Sequence, residues 1–234
     1  MSWQVVRADN PGPMTLEGTN TYVVGADAVV VVDPGPLLDE HLRAVRDAVA
    51  GRPVEAVVLT HRHLDHSEGA QELAGRLGRT EVLAEGAGLT DGLALPAGLT
   101  VLATPGHTAD SVSLLLDEEA VLTGDTILGR GTSVVAHPDG ALTPYLASLA
   151  RLQALGPRVV LPGHGPQLPD LGAVATAYLE HRAERLAQVR AAVEGGAVTA
   201  AEVVEIVYAD VDPVLWPAAE RSVAAQLEHL AAGG

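Results

Sequence analysis

Four side chains of metal-ligand type stand within six positions in His61-Arg62-His63-Leu64-Asp65-His66. Three more candidates follow at Gly106-His107, Gly124-Asp125 and Gly163-His164-Gly165. The chain has no Cys, so any metal here must be held by imidazole and carboxylate, and no thiolate nucleophile exists. Residues two apart on extended backbone point the same way, so His61 and His63 can converge on one ion. Asp65 and His66 are adjacent and need a turning loop to aim at a common point. The first four ligands would close a single tetrahedral site, and three further candidates therefore suggest two ions. Zinc is the expected metal, and iron and manganese suit the same donors. Two such ions acidify a shared water, which permits hydrolysis without Ser or Cys.

Five of the nine histidines fall in these clusters, a placement that chance does not readily produce. His41, His137, His181 and His229 read as ordinary helix or surface residues, with His137 the one in a loop that can reach a substrate. Asp33 closes a strand ahead of Pro34 and is expected to hydrogen-bond a ligand imidazole and fix its tautomer. The plainer reading makes it a turn-capping Asp.

These clusters need rigid elements to hold them. Val5–Arg7, Thr21–Val24, Ala28–Val32 and Val54–Leu59 read as strands, and the last runs straight into His61. Leu38–Ala50 and Glu68–Gly78 have helical spacing. Further strands are expected at Glu81–Ala84, Leu99–Ala103, Val112–Leu116, Ala120–Leu122 and Arg158–Leu161, with a helix at Pro144–Leu155. Each polar cluster directly follows a strand, where a site can be held in a fixed geometry. From Ala173 the pattern is helical only: Ala173–Val193, Thr199–Tyr208 and Pro213–Ala231. A domain boundary is expected near Gly172, giving a hydrolase-like unit over 1–172 and a helical unit over 173–234.

Net charge is −16, and all fourteen basic residues are Arg. Phosphate-backbone binding draws on clustered basic residues, so extended nucleic-acid binding is disfavoured. The longest apolar run, Ala28–Val32, cannot span a bilayer, and the N-terminal residues resemble no signal peptide. A cytoplasmic protein without membrane association is expected. Oligomeric state is not readable.

The ordered motifs His61-x-His63-x-Asp65-His66, Gly106-His107, Gly124-Asp125 and Gly163-His164-Gly165 resemble the metallo-β-lactamase superfamily over about residues 1–172. Asn10-Pro11-Gly12-Pro13, Gly18-Thr19-Asn20-Thr21-Tyr22 and Thr123-Gly124-Asp125-Thr126-Ile127-Leu128-Gly129 are similar to its β-lactamase-like protein 2 branch, which includes a single-strand-directed endoribonuclease. The resemblance implies an α/β fold, a four-layer αββα sandwich with metals at one edge of the two sheets. It implies that His61, His63 and His107 bind one zinc, that Asp65, His66 and His164 bind the other, and that Asp125 bridges them. Asp65 would orient the metal-bridging hydroxide and accept its proton.

The C-terminal helices resemble the same branch's small winged-helix-like appendage, on Tyr178-x-x-His181-Arg182 and on Leu215-Trp216-x-x-Ala219-Glu220-Arg221. Little chain follows for a β-hairpin wing, and residues 173–234 carry 9 Asp and Glu against 4 Arg. This favours a packing or substrate-fencing element over a nucleic-acid binder.

The expected function is metal-dependent hydrolysis of an ester, thioester, lactone or phosphodiester bond. The substrate is a small molecule or a short single-stranded nucleic acid. Arg130 is a lone candidate for docking a substrate carboxylate. The alternatives are a one-iron redox enzyme of the persulfide-dioxygenase type and a non-catalytic scaffold of the same fold.

Overall fold

The computed structural model describes residues 2–233. Eleven strands form two mixed sheets. The first has the order β1-β2-β3-β4-β5-β6, from Trp3–Arg7, Asn20–Val24, Val29–Val32, Val54–Val58, Val82–Glu85 and Gly88–Leu89. The second has the order β11-β10-β9-β8-β7, from Val159–Pro162, Ala120–Gly124, Val112–Leu116, Leu99–Ala103 and Ala94–Leu95. The two-residue strands β6 and β7 were not anticipated, because segments so short carry no alternation to read.

The all-valine strand β3 is buried on both faces. Val30 and Val32 turn inward with Tyr22, Val24 and Val58, and meet Val101, Leu114, Leu116 and Leu122 of the other sheet. Val29 and Val31 turn outward with Val57 onto α1 (Asp39–Val49) and α3 (Ala70–Arg76). A run of β-branched residues with no polar alternation therefore marks a strand covered on both sides. The second sheet is covered in turn by α4 (Leu142–Gln153) and the first half of α5 (Leu171–Glu194). The layers are the αββα sandwich that the motifs implied.

The helix expected over Glu68–Gly78 is α3 alone, preceded by one short turn of helix, α2 (Leu64–Ser67). Gly69 separates them, and a β-carbon there would lie 2.9 Å from Leu42 Cδ2 and 3.0 Å from the Gly35 carbonyl. The break presses α2 against the edge of the sheet and so carries Asp65 and His66 toward the strand ends.

Past β11 the described residues form helices only: α5, α6 (Ala200–Val207), a 3-10 turn at Pro213–Leu215 and α7 (Trp216–Ala231). Thr199 and Glu202 cap α6 reciprocally. Gly172 lies in the first turn of α5. Leu171, Ala175 and Tyr178 of that helix belong to the core over the second sheet, whereas Val189 and Ala192 pack with Val203, Val204 and Val223 in a separate core. One helix thus serves both interiors.

Candidate metal centre

All seven ligand candidates meet at the edge where the two sheets adjoin. Hydrogen bonds stitch that edge together. Asn20 Nδ2 donates to the carbonyls of Pro162 (3.0 Å) and Gly165 (2.8 Å), and Tyr22 Oη donates to Pro162 (2.8 Å). The Asn20 N–H reaches the Gly163 carbonyl at 2.8 Å, and the Val112 N–H reaches Thr60 at 2.8 Å. Asn10 fixes Thr19 through its side chain. The Asn10 and Gly18-to-Tyr22 motifs therefore position the loop that presents His164.

Three overlapping donor groups result among the described residues, and that of His61, His66 and Asp125 joins the other two. His61, His63 and His107 have ligand atoms within 4.8 Å of one another, as have Asp65, His66 and His164. In the first, His61 Nε2 and His107 Nε2 lie 2.9 and 3.1 Å from His63 Nδ1. In the second, His164 Nε2 lies 3.2 Å from His66 Nε2 and 3.2 Å from Asp65 Oδ2. The Asp125 carboxylate stands between them. Its oxygens approach His66 Nε2 (3.4 Å) and His164 Nε2 (3.4 Å) on one side and His107 Nε2 (3.8 Å) on the other.

In four of the five rings the outer nitrogen is committed elsewhere, His63 being the exception. His107 Nδ1 donates to the Val134 carbonyl at 2.7 Å, and His164 Nδ1 faces the Gly18 carbonyl at 3.3 Å. His66 Nδ1 donates to Asp33 Oδ2 at 2.9 Å. His61 Nδ1 lies 3.1 Å from Thr60 Oγ1, whose own proton goes to Asp33 Oδ2 at 2.7 Å. With those protons placed, His61, His66, His107 and His164 present lone pairs inward, and those of His66 and His164 face each other and carboxylates. Acceptor against acceptor at such distances is stable only with cations between them. Asp125 Oδ1 makes the same point, being buried without a hydrogen-bond partner. The donor set fits divalent metal.

The protonation tendencies of the protein alone agree. Burial would depress His66 and His164, but the facing carboxylates win: His66 is pushed well above its usual range, and His164 to about 9. Burial would raise Asp125, yet the His66 and His164 rings hold its carboxyl well below the ordinary range. His61, buried and beside other imidazoles, is pushed well down. Without metal, protons supply the missing positive charge.

Asp33 has the orienting role. It is buried, its backbone is left-handed at φ 51°, and it accepts from Thr60 N–H, Thr60 Oγ1 and His66. Thr60, Ser133 and the Val134 carbonyl were not foreseen. Nothing in the residue types of a loop marks which carbonyl a histidine 27 positions away will use. Arg182 Nη2 donates to the Ser133 carbonyl, and Ser133 Oγ is 3.1 Å from His107 Nδ1. A C-terminal helix thereby reaches the surroundings of a ligand.

The other candidates lie outside these groups. His137 pairs with Glu228 of α7 at 3.1 Å, and His229 bonds Thr143 at 2.7 Å. His41 is buried against Thr21 Oγ1 at 2.9 Å. Arg130 pairs with Glu17 at 2.7 Å at the rim of a cleft of about 170 Å3, whose wall includes His107, Asp125, Met14, Leu16 and Leu128.

Gly163 tests how tightly the second group is packed. Its β-carbon would sit 2.6 Å from both Asp125 Oδ1 and His66 Cε1. Gly163→Ala is therefore expected to weaken metal affinity about 10- to 100-fold, the scale of a disturbed ligand environment. Competition with a chromophoric chelator measures this, and wild-type affinity would show that the geometry yields.

The description "Metallo-beta-lactamase superfamily" matches residues 14–87 and 81–164, and "Beta-lactamase associated winged helix domain" matches residues 199–234. A beta-lactamase-like protein 2 homolog of Caenorhabditis elegans is 34% identical over 96% of this chain and 82% of its own length. An atrochrysone carboxyl ACP thioesterase of Aspergillus fumigatus is 34% identical over 89% of this chain and 74% of its own. Among solved structures, a metallo-beta-lactamase family protein of Thermus thermophilus superposes with a TM-score of 0.79 at 26% identity, covering 99% of this chain and 94% of that one. With the first description spanning most of the two-sheet core and a relative one third identical along nearly the whole length, the chain belongs to the metallo-beta-lactamase superfamily.

Proposed function

We propose that the chain is a dinuclear zinc hydrolase acting on an ester-type bond of a small substrate, with thioesters first among the candidates. His61, His63 and His107 hold one ion, Asp65, His66 and His164 hold the other, and Asp125 lies between them. The observation that carries this reading is the opposition of the His66 and His164 lone pairs to each other and to the Asp125 carboxylate, which also approaches His107. Zinc ions so held supply Lewis acidity and a nucleophile at neutral pH.

The chain's own residues do the rest. Asp33 and the Val134 carbonyl fix the tautomers of His66 and His107, so that each presents Nε2 inward. Burial would raise Asp65, but His164 beside it holds its carboxyl below the usual range, so it is ionised at neutral pH and able to accept a proton. Met14, Leu16 and Leu128 give the cleft an apolar wall suited to an acyl body. The thioesterase relative supports the same bond type. The net charge of −16 weighs against a long nucleic acid.

A substrate panel on zinc-loaded protein tests the reading: a generic thioester, a lactone, a phosphodiester and a short single-stranded RNA. Thioester turnover with two zincs per chain is the expected result. Cleavage of the RNA alone would move the substrate class to phosphodiesters. One iron per chain, or no turnover of any substrate with two zincs bound, would overturn the proposal. Among the described residues no helix is long and apolar enough to cross a membrane.

A further inference from the structure

Beside the metal cleft lies a second cavity of about 270 Å3, and Pro13, Met14 and Thr132 to Val134 line both. The two therefore adjoin along that shared lining. To the second, α5 contributes His181, Arg182 and Arg185 within five positions.

Like Arg52, which donates to the carbonyls of Gly25, Ala48 and Val49, these two arginines pair with no carboxylate, and unlike it they line a cavity. Acidic residues outnumber arginines 30 to 14, and Arg62, Arg76, Arg130 and Arg151 each hold a carboxylate. Arg182 is 5% exposed, donates to the Ser133 carbonyl and lies 5.1 Å from the centroid of the Tyr145 ring. Its Nε is buried with no partner. Arg185 donates to the Val207 carbonyl at 2.9 Å and stacks on Tyr208 at 4.4 Å. Their partners are thus carbonyls and aromatic faces. A guanidinium buried with an unused N–H is costly unless an anion reaches it.

We propose that Arg182, Arg185 and His181 form an anion subsite adjoining the cleft, so that the substrate reaches over the shared Pro13–Met14 and Thr132–Val134 lining with a carboxylate or phosphate group remote from the bond to be cut. This rests on the hydrolase reading of the neighbouring cleft. Val211, Leu215 and Ala218 complete the cavity with apolar surface, which matches an aliphatic stretch between the two ends of such a substrate. A guanidinium pair gives planar, two-pronged recognition of either anion. His181 is held down by burial and then by the adjacent arginine charges, so its ring is neutral and serves as a hydrogen-bonding partner.

The test has two arms on zinc-loaded full-length protein. The first compares the N-acetylcysteamine thioesters of glutarate and of its monomethyl ester, which differ only in the remote charge. The wild type is expected to prefer the charged thioester about tenfold or more in kcat/KM, mostly through KM. Arg185→Gln is expected to bring that ratio toward one. The second arm reads equilibrium binding of glutarate and of propyl phosphate without turnover, with an expected loss of about fivefold or more in Arg185→Gln for one or both. A larger loss with glutarate identifies a carboxylate as the natural anion, and a larger loss with propyl phosphate identifies a phosphate. Equal binding of both probes by wild type and variant overturns the subsite. So does a wild-type ratio near one. If neither thioester is cut, the thioester reading fails, while the binding arm still decides the subsite.

Discussion

Asp125→Ala is expected to lower kcat/KM by roughly a thousandfold or more, which corresponds to about 4 kcal/mol of transition-state stabilisation. The carboxylate faces both donor sets, at 3.4 Å from His66 and His164 and 3.8 Å from His107. Its removal leaves the rings with less negative charge between them, and metal content is expected to fall from two ions per chain to one or none. Asp125→Asn keeps the shape but not the charge, and it separates electrostatics from packing. The same loss is expected in both variants, with far-ultraviolet dichroism unchanged, because β9, β10 and β11 are hydrogen-bonded through their own backbones. Near-wild-type turnover in either variant would remove Asp125 from the metal centre. His63→Ala, at the exposed member of the first group, is a companion test with the same expected direction.

Asp33 carries the second large effect. Its carboxylate accepts from Thr60 N–H at 2.8 Å, from Thr60 Oγ1 at 2.7 Å and from His66 Nδ1 at 2.9 Å, all inside the protein. Asp33→Ala leaves these three donors without a partner, and removing one member of a buried pair costs about 3–5 kcal/mol. Denaturant unfolding of metal-free protein measures it. Asp33→Asn is more discriminating, because Asn tolerates the left-handed backbone found here. An amide N–H turned toward His66 Nδ1 makes that nitrogen an acceptor, which moves the ring proton to Nε2, the nitrogen that faces the second group. Affinity for the second metal is then expected to drop about 10- to 100-fold. Nitrogen-15 spectra of the histidine rings would report the tautomer directly. Wild-type affinity with an unchanged tautomer would mean that His66 is oriented by something other than Asp33.

The convergence of the seven candidates was legible because a chain without Cys has only imidazole and carboxylate to offer a metal, and because each candidate follows a strand. Strand ends are also where the fold proved most readable: the valine runs at β3 and β4 pair as adjacent parallel strands, Val32 opposite Val58. The break at Gly69 was harder to see, since Glu68–Gly78 has helical spacing throughout and the Gly69 N–H is diverted to the distant Gly35 carbonyl at 2.9 Å. Thr60 escaped notice because a Thr beside a His-rich motif has no property that distinguishes it until Asp33 is seen next to it. Arg182 is the sharpest case. Its partner carbonyl is 49 residues away, and its aromatic neighbour Tyr145 lies on α4. Residue types flag donors well, whereas carbonyl acceptors are the same in every residue and are assigned only by the fold.

Because α5 runs unbroken through both interiors, its 24 residues behave as a lever arm. A torque on α6 and α7 arrives at the Ser133 carbonyl through Arg182, and the next carbonyl along, that of Val134, is the one that steers His107. Chimeras that exchange only the last two helices with those of a relative would thus retune turnover with every ligand left in place.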